Sequence, residues 1–235
     1  MKNITAAGVT AAALALVLAG CSPTTEQAST STATAPPTVW TGSPAPAHSG
    51  ESGHGGEAPA VGESLHNYIV ENKIAEVPFK PGQAGTPQID FPLPPDWSPA
   101  GDRTPEWAYG AIIYDKAQDP QNPPFMYAIA SKLTGDVDPA KILEYAPGQL
   151  NELPDFKAIG APERSMLSGF DSIDYVGTYV RDGESRAVGQ QTIVIPDDDA
   201  LFVLQLNGEA PEGQEQIVID AAKIIREQTT IALQS

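Results

Sequence analysis

The chain has 235 residues and sets 30 Asp and Glu against 13 Lys and Arg, a formal net charge of −17 at pH 7. So acidic a surface repels phosphate backbones and anionic headgroups, and lysines such as Lys73, Lys80, Lys116, Lys132 and Lys141 are scattered, so no nucleic-acid partner is expected. A single cysteine leaves no intramolecular disulfide, so stability has to come from an apolar core.

At the N-terminus, basic Lys2 precedes the apolar run Val9–Ala19, which ends in Leu18-Ala19-Gly20-Cys21. Charge, short apolar segment and small residues at a cut site make a secretory leader, and the run falls well short of the ~20 residues that span a bilayer. A cysteine directly after a small residue, as in the bacterial lipobox, takes a diacylglyceryl group on its thiol and a further acyl chain on its freed amine. The reading is a signal peptide over 1–20 and a lipid anchor at Cys21. Acyl chains contribute roughly 0.8 kcal/mol per buried methylene, so two or three hold a domain persistently on the extracytoplasmic face of the cell membrane. No later stretch is apolar for long enough to add a second attachment.

Residues 21–62 are rich in Ser, Thr, Ala, Pro, Gly and Glu, too poor in apolar groups to offset the entropy of ordering. They read as a disordered tether whose Ser and Thr suit O-glycosylation. His48, Glu51, His54 and Glu57 lie within it, but nothing rigid fixes their geometry and no metal site is expected.

One α+β domain is expected over 63–235. Ser64 is a helix N-cap, with Leu65, Tyr68, Ile69 and Ile74 on one side of about three turns. A Pro/Gly-rich connection leads to a short edge strand over 88–93. Trp107–Tyr114 and Phe125–Leu133 read as strands joined by the polar, Pro-rich loop Asp115–Pro124. Asp138 caps a second helix with Pro139 at its first position; Ile142, Leu143, Ala146 and Leu150 share a face, and Pro147-Gly148 kink or divide it. Ser172–Val180, Arg186–Pro196 and Leu201–Asn207 form a meander turning at Asp182-Gly183 and at Asp197-Asp198-Asp199. A closing helix covers Glu212–Ile231. The total is about six strands and three helices, a largely antiparallel sheet flanked by helices.

Catalytic constellations are missing. His66 is the one histidine of the folded part and lies off the apolar side of its helix, and no Gly-x-Ser-x-Gly elbow occurs. Asp197–Asp199 suit a turn better than a calcium site, and Asp136 with Asp138 suit helix capping better than acid–base work. No phosphate-cradling or dinucleotide fingerprint is present, so no metal or cofactor is expected. What remains is aromatic: Trp97 and Trp107 flank the Pro/Gly connection 98–106, near Tyr109, with Phe91 and Phe125 on adjoining strands. Such residues either line an apolar groove for a ligand or partner or close one end of the core.

The stretches Ser131–Leu143, Ala146–Leu150, Thr192–Pro196, Phe202–Asn207 and Glu227–Ile231, together with the lipobox, resemble the mycobacterial LpqN/LpqT lipoprotein family, nearer to its LpqN side. The likeness runs from about residue 65 to the end. It implies a Mog1/PsbP-like α/β/α sandwich on an outer-leaflet envelope lipoprotein, with roles in cell-envelope biogenesis, contacts to MmpL-type exporters of mycolate lipids and binding of fatty-acid-like ligands. It carries over no site residues. The expected function is a non-enzymatic accessory of envelope lipid binding or transport that engages a fatty-acid-like or mycolate-type lipid, or an MmpL-type exporter. A purely structural protein–protein adaptor is the alternative, ahead of a hydrolase of envelope esters or glycans.

Overall fold

A computed structural model describes residues 64–234, so the leader, the Cys21 anchor and the tether of residues 21–62 lie outside the described residues. Helix α1 (Leu65–Glu71) begins where expected: the Ser64 Oγ accepts from the Asn67 amide at 3.3 Å. It is shorter than the apolar spacing suggested. Ile74 lies beyond it, yet is buried beside Leu65 in the same cluster. The chain continues through β1 (Ala75–Pro78), β2 (Gln88–Asp90), β3 (Trp97–Pro99), β4 (Gly110–Tyr114) and β5 (Phe125–Thr134). Next come α2 (Pro139–Tyr145) and α3 (Gly148–Asn151), with the Asp138 carboxylate accepting from the Ala140 amide at 2.8 Å and Pro147 dividing the two. The remainder is β6 (Lys157–Ala158), β7 (Glu163–Leu167), β8 (Phe170–Arg181), β9 (Glu184–Pro196), β10 (Leu201–Pro211), α4 (Glu215–Gln228) and β11 (Thr230–Ala232).

The α+β class and the antiparallel sheet are as read, but the expected strand count of about six is too low. Nine strands form one sheet in the order β3-β4-β5-β10-β9-β8-β6, with β1 paired to β5 and β7 to β8; β2 and β11 form a separate ribbon. The additional strands are short and sit at edges. Every residue of β1 is exposed, so no alternation marks it, and its Pro78 lacks a ladder donor. The expected strand over 107–114 starts only at Gly110, because Pro105–Ala108 closes a turn with the Ala108 amide on the Pro105 carbonyl at 2.9 Å. The closing helix stops at Gln228, and Thr229–Ala232 turns extended to pair with β2.

Opposed residues of antiparallel strands share a face, so the register assigns each side chain to one side of the sheet. On the first side Leu133, Leu201, Val203, Val194 and Ile173 pack against Leu65, Ile142, Leu143 and Ala146. We call this the α2 face. On the other, the α4 face, Phe202, Leu204, Ile193 and Ile195 bury Phe79, Ile89 and Tyr109, while Met126 and Trp97 meet Ala221 and Ile225. The central strand β9 is buried on both sides from Gln190 to Ile195. The result is the α/β/α sandwich that the family resemblance implies.

Candidate functional site

The α2 face changes character along its length. Its apolar end lies beneath α1 and α2. In the middle, alternate positions of β9 and β10 carry amides. Gln190 Nε2 donates to Asn207 Oδ1 at 3.2 Å, Asn207 Nδ2 to Gln205 Oε1 at 3.3 Å, and Gln205 Nε2 to Gln149 Oε1 on α3. Buried amides in strands this apolar persist because each finds a partner. Tyr175 adds a link to α3 by donating to Asn151 Oδ1 at 3.1 Å.

Beside the amides, on the β4–β5 side, no helix among the described residues covers the face. Here Trp107 meets Tyr127 edge to face at 5.3 Å between centroids, and Phe125 lies 5.9 Å from the same ring. All three are half-buried, as are Ala111, Ile113 and Ile129 along the same side. The turn bearing Trp107 is held by Lys80, whose Nζ donates to the carbonyls of Glu106 and Ala108. The indole Nε1 of Trp107 is buried and finds no acceptor among the described residues. Burial raises the Tyr127 hydroxyl well above the usual phenolic range, with the nearby Glu209 charge adding to it. Tyr127 therefore stays neutral at physiological pH, and the strip offers aromatic edges and uncharged donors.

The far end of the face is ionic. Glu209 Oε1 accepts from Arg181 Nη1 at 2.7 Å and Oε2 from the Tyr179 hydroxyl at 2.5 Å, while Arg186 Nη2 stands 3.4 Å from Oε1. Burial, then Glu209, raises the Tyr179 pKa far above its ordinary value.

The predicted groove is accordingly divided. Trp107 and Phe125 share the open strip, whereas Trp97, Tyr109 and Phe91 belong to the α4 face. Trp97 is 5% exposed and packs on Tyr114 at 5.7 Å. Tyr109 stacks edge-on with Phe79 and Phe91, and burial followed by Asp90 raises its pKa. These three close the core beneath α4 and the β2–β11 ribbon. The ladder pairs Trp97 with Tyr114 on one side of the sheet, while Tyr127 faces the other; Tyr109 and Phe91, just outside β4 and β2, pack into the cluster around Phe79. The sequence reading missed Tyr127, Gln190, Asn207, Arg186 and Glu209. Their signal was available as polar groups spaced two apart within otherwise apolar strands.

His66 is exposed on α1, and Asp197–Asp199 occupy an exposed hairpin turn in which the Asp197 amide donates to the Ala200 carbonyl at 2.9 Å. Among the described residues no group of three or more His, Cys, Asp and Glu is placed to hold a metal ion, and no helix is long and apolar enough to cross a membrane.

Comparison with known proteins gives this arrangement a lineage. A family model described as probable lipoprotein LpqN matches residues 61–232. Lipoprotein LpqN of Mycobacterium tuberculosis (strain ATCC 25618 / H37Rv) is 42% identical over 235 residues, covering 98% of this chain and 99% of that protein. The crystal structure of LpqN, described as involved in cell envelope biogenesis of Mycobacterium tuberculosis, matches with a TM-score of 0.69 at 43% identity, over 74% of this chain and 99% of that one. The Saccharomyces cerevisiae Ran-binding protein Mog1p matches at 12% identity over 66% of this chain and 94% of that one with a TM-score of 0.41. From the family model and the near-full-length relative together, the chain belongs to the LpqN lipoprotein family.

Proposed function

We propose that this protein is a non-enzymatic accessory of the cell envelope, tethered to the membrane through Cys21, that receives an acyl lipid along the open strip of its α2 face and presents it to a membrane exporter. The observation that carries the reading is the half-buried run Trp107, Tyr127, Phe125 and Ile129, which no helix among the described residues covers, beside the part of the same face on which α1, α2 and α3 pack. Half-buried rings beside a row of amides suit an amphipathic molecule, its chain on the aromatics and its polar part on Gln190, Asn207 and Gln205. The relative's involvement in envelope biogenesis supports work in that compartment; a fatty-acid-like or mycolate-type lipid and an exporter of the MmpL type are what the family resemblance implies.

The test is native mass spectrometry of the full chain, produced in an actinobacterial host and extracted in mild detergent. A co-purifying acyl lipid that Trp107→Ala loses, while Trp97→Ala protein that still folds keeps it, supports the reading. Protein that carries no lipid and captures none from host vesicles sinks it and favours the protein adaptor, which crosslinking to exporters would then examine.

A further inference from the structure

Among the described residues Arg186 is the largest of the side chains that are less than 2% exposed, in a protein with few cations. Desolvating a guanidinium is costly unless its donors are met, and here they are met poorly. One nitrogen, Nη1, donates to Asn122 Oδ1. Nε and Nη2 find no hydrogen-bond acceptor among the described residues. Glu209 does not supply one: its Oε1 is engaged by Arg181 at 2.7 Å, its Oε2 by Tyr179, and Arg186 Nη2 remains at ion-pair range, 3.4 Å. The same side of the sheet holds a third orphan donor, Trp107 Nε1, linked to this cluster through Tyr127. Three buried N–H donors on this side of the sheet are thus unmatched, two of them on Arg186.

The group that holds Nη1 belongs to a loop rather than to the sheet. Asn122 lies in the Asp115–Pro124 loop, with its Nδ2 on Glu184 Oε2 at 3.2 Å; the start of the loop is pinned by Lys116 on Asp96 at 2.7 Å and by Ser98 Oγ on Asp115 Oδ1 at 2.5 Å, and Arg103 Nη1 reaches the Pro120 carbonyl at 3.3 Å. A cavity of about 140 Å³ lined by Arg103, Ile113, Asp115, Pro120 and Pro123 adjoins it. The amide oxygen of Asn122 is a neutral acceptor where an anionic one would bind a guanidinium roughly twice as strongly.

We propose that Arg186 is the receptor of an oxyanion-binding site, for a carboxylate or phosphate group, which the Asn122 amide plugs. An oxyanion that displaces Asn122 meets Nη1 and the unmatched Nε or Nη2 together, the forked geometry that guanidinium groups favour. Glu209 and Glu184 oppose the anion electrostatically while Arg181 and Arg186 attract it, so the site selects for hydrogen-bond geometry rather than for bulk charge. This is a separate claim from the acyl strip, and either can fail alone.

The test compares thermal unfolding of the full chain and its Asn122→Ala variant in chloride, inorganic phosphate, acetate and octanoate at matched ionic strength. Asn122→Ala is expected to melt lower in chloride and to regain roughly 2–4 °C in Tm in saturating oxyanion, with a smaller gain for the unchanged chain. The Asn122→Ala, Arg186→Lys double variant is expected to lose that gain. Should it not fold, titrating phosphate against the arginine Nε–H resonances of Asn122→Ala reads the same contact directly, and a shift of the Arg186 resonance is the expected result. Recovery in phosphate, acetate and octanoate alike marks a site for free oxyanions, and recovery in octanoate alone marks a carboxylate carried on an acyl chain. No recovery beyond chloride, or equal recovery without Arg186, overturns the proposal. A Trp107→Ala protein that loses lipid but keeps the phosphate response leaves the oxyanion site standing as a separate site.

Discussion

Trp107 stands edge-on to Tyr127, ring centroids 5.3 Å apart and planes at 82°, on the opposite side of the sheet from the other tryptophan of the folded domain, Trp97. The two indoles therefore have different work. Trp97 fills the core, and truncating a buried ring of that size to alanine costs about 3–5 kcal/mol. Trp107 is half-buried and holds an unmatched N–H, so its removal is expected to cost only about 1 kcal/mol, because losing a buried orphan donor offsets part of the lost contact. Thermal melts are expected to rank Trp97→Ala far below Trp107→Ala, while retained lipid ranks them in reverse. A Trp107→Ala protein as unstable as Trp97→Ala would return Trp107 to the core.

Helix α4 crosses β10 at a point where no side chain fits. A Cβ placed on Gly208 would lie 2.6 Å from Val218 Cγ1. Gly208→Ala is expected to destabilise the domain by about 1–3 kcal/mol through overpacking. Val218→Ala in the same chain should relieve most of it, which a double-mutant cycle in urea would measure as a coupling. Additive losses would mean that the helix shifts instead of clashing.

The Asp138 cap is worth testing because the sequence foretold it. Asp138→Ala removes the carboxylate that accepts from the Ala140 amide and is expected to cost about 1 kcal/mol, a fall in Tm of roughly 2–4 °C for a domain this size. Asp138→Asn retains an acceptor and should lose less. Equal losses from both would point to charge rather than capping.

Alkali should unfold the protein through its tyrosines. Burial raises the pKa values of Tyr127 and Tyr179, with Glu209 contributing to both. The folded chain therefore holds those protons to a higher pH than the unfolded chain, whose phenols titrate near about 10. Stability from this source is complete below that pH and falls as pH rises through the folded-state values. Absorbance at the phenolate band should show Tyr127 and Tyr179 titrating only as the protein unfolds, and Tyr179→Phe should soften the decline above about pH 10. Reversible ionisation of every tyrosine in the folded state would contradict this.

Strands that own a long apolar alternation and a tight turn were legible: β5, and β8 to β10 with Asp182-Gly183 between the first two, where φ is 54° and 81° as a two-residue hairpin turn requires. Strands defined by a partner were not. β1, β3, β6 and β11 are short and lie at the margins, and nothing local tells Ala75–Pro78 that Ser131–Thr134 will be opposite. Ile231 prolonged the apolar spacing of α4 and concealed the switch to a strand at Thr230. The site shows the same division. Trp107 and Phe125 stood out by type, but their separation from Trp97 depends on sheet register and that from Tyr109 and Phe91 on how the chain bends beside β4 and β2, neither of which one sequence displays. Arg186 looked like the first residue of a strand and became buried because Arg186, Gln190, Thr192 and Val194 all fall on one side of β9.

The pairing of β5 with β10 orders the protein in time as well as in space. The meander from β8 to β10 can assemble from neighbouring hairpins, but Phe125–Leu133 must wait for Leu201–Glu209, and β2 for β11 at the far end of the chain. Contacts so distant in sequence are slow to close, and a chain emerging from its N-terminus holds the long edge of β5 bare until almost everything else has been made. The last residues are therefore a fastener: Ile231 opposite Ile89 ties the end of the domain to its beginning, and trimming the tail loosens both at once.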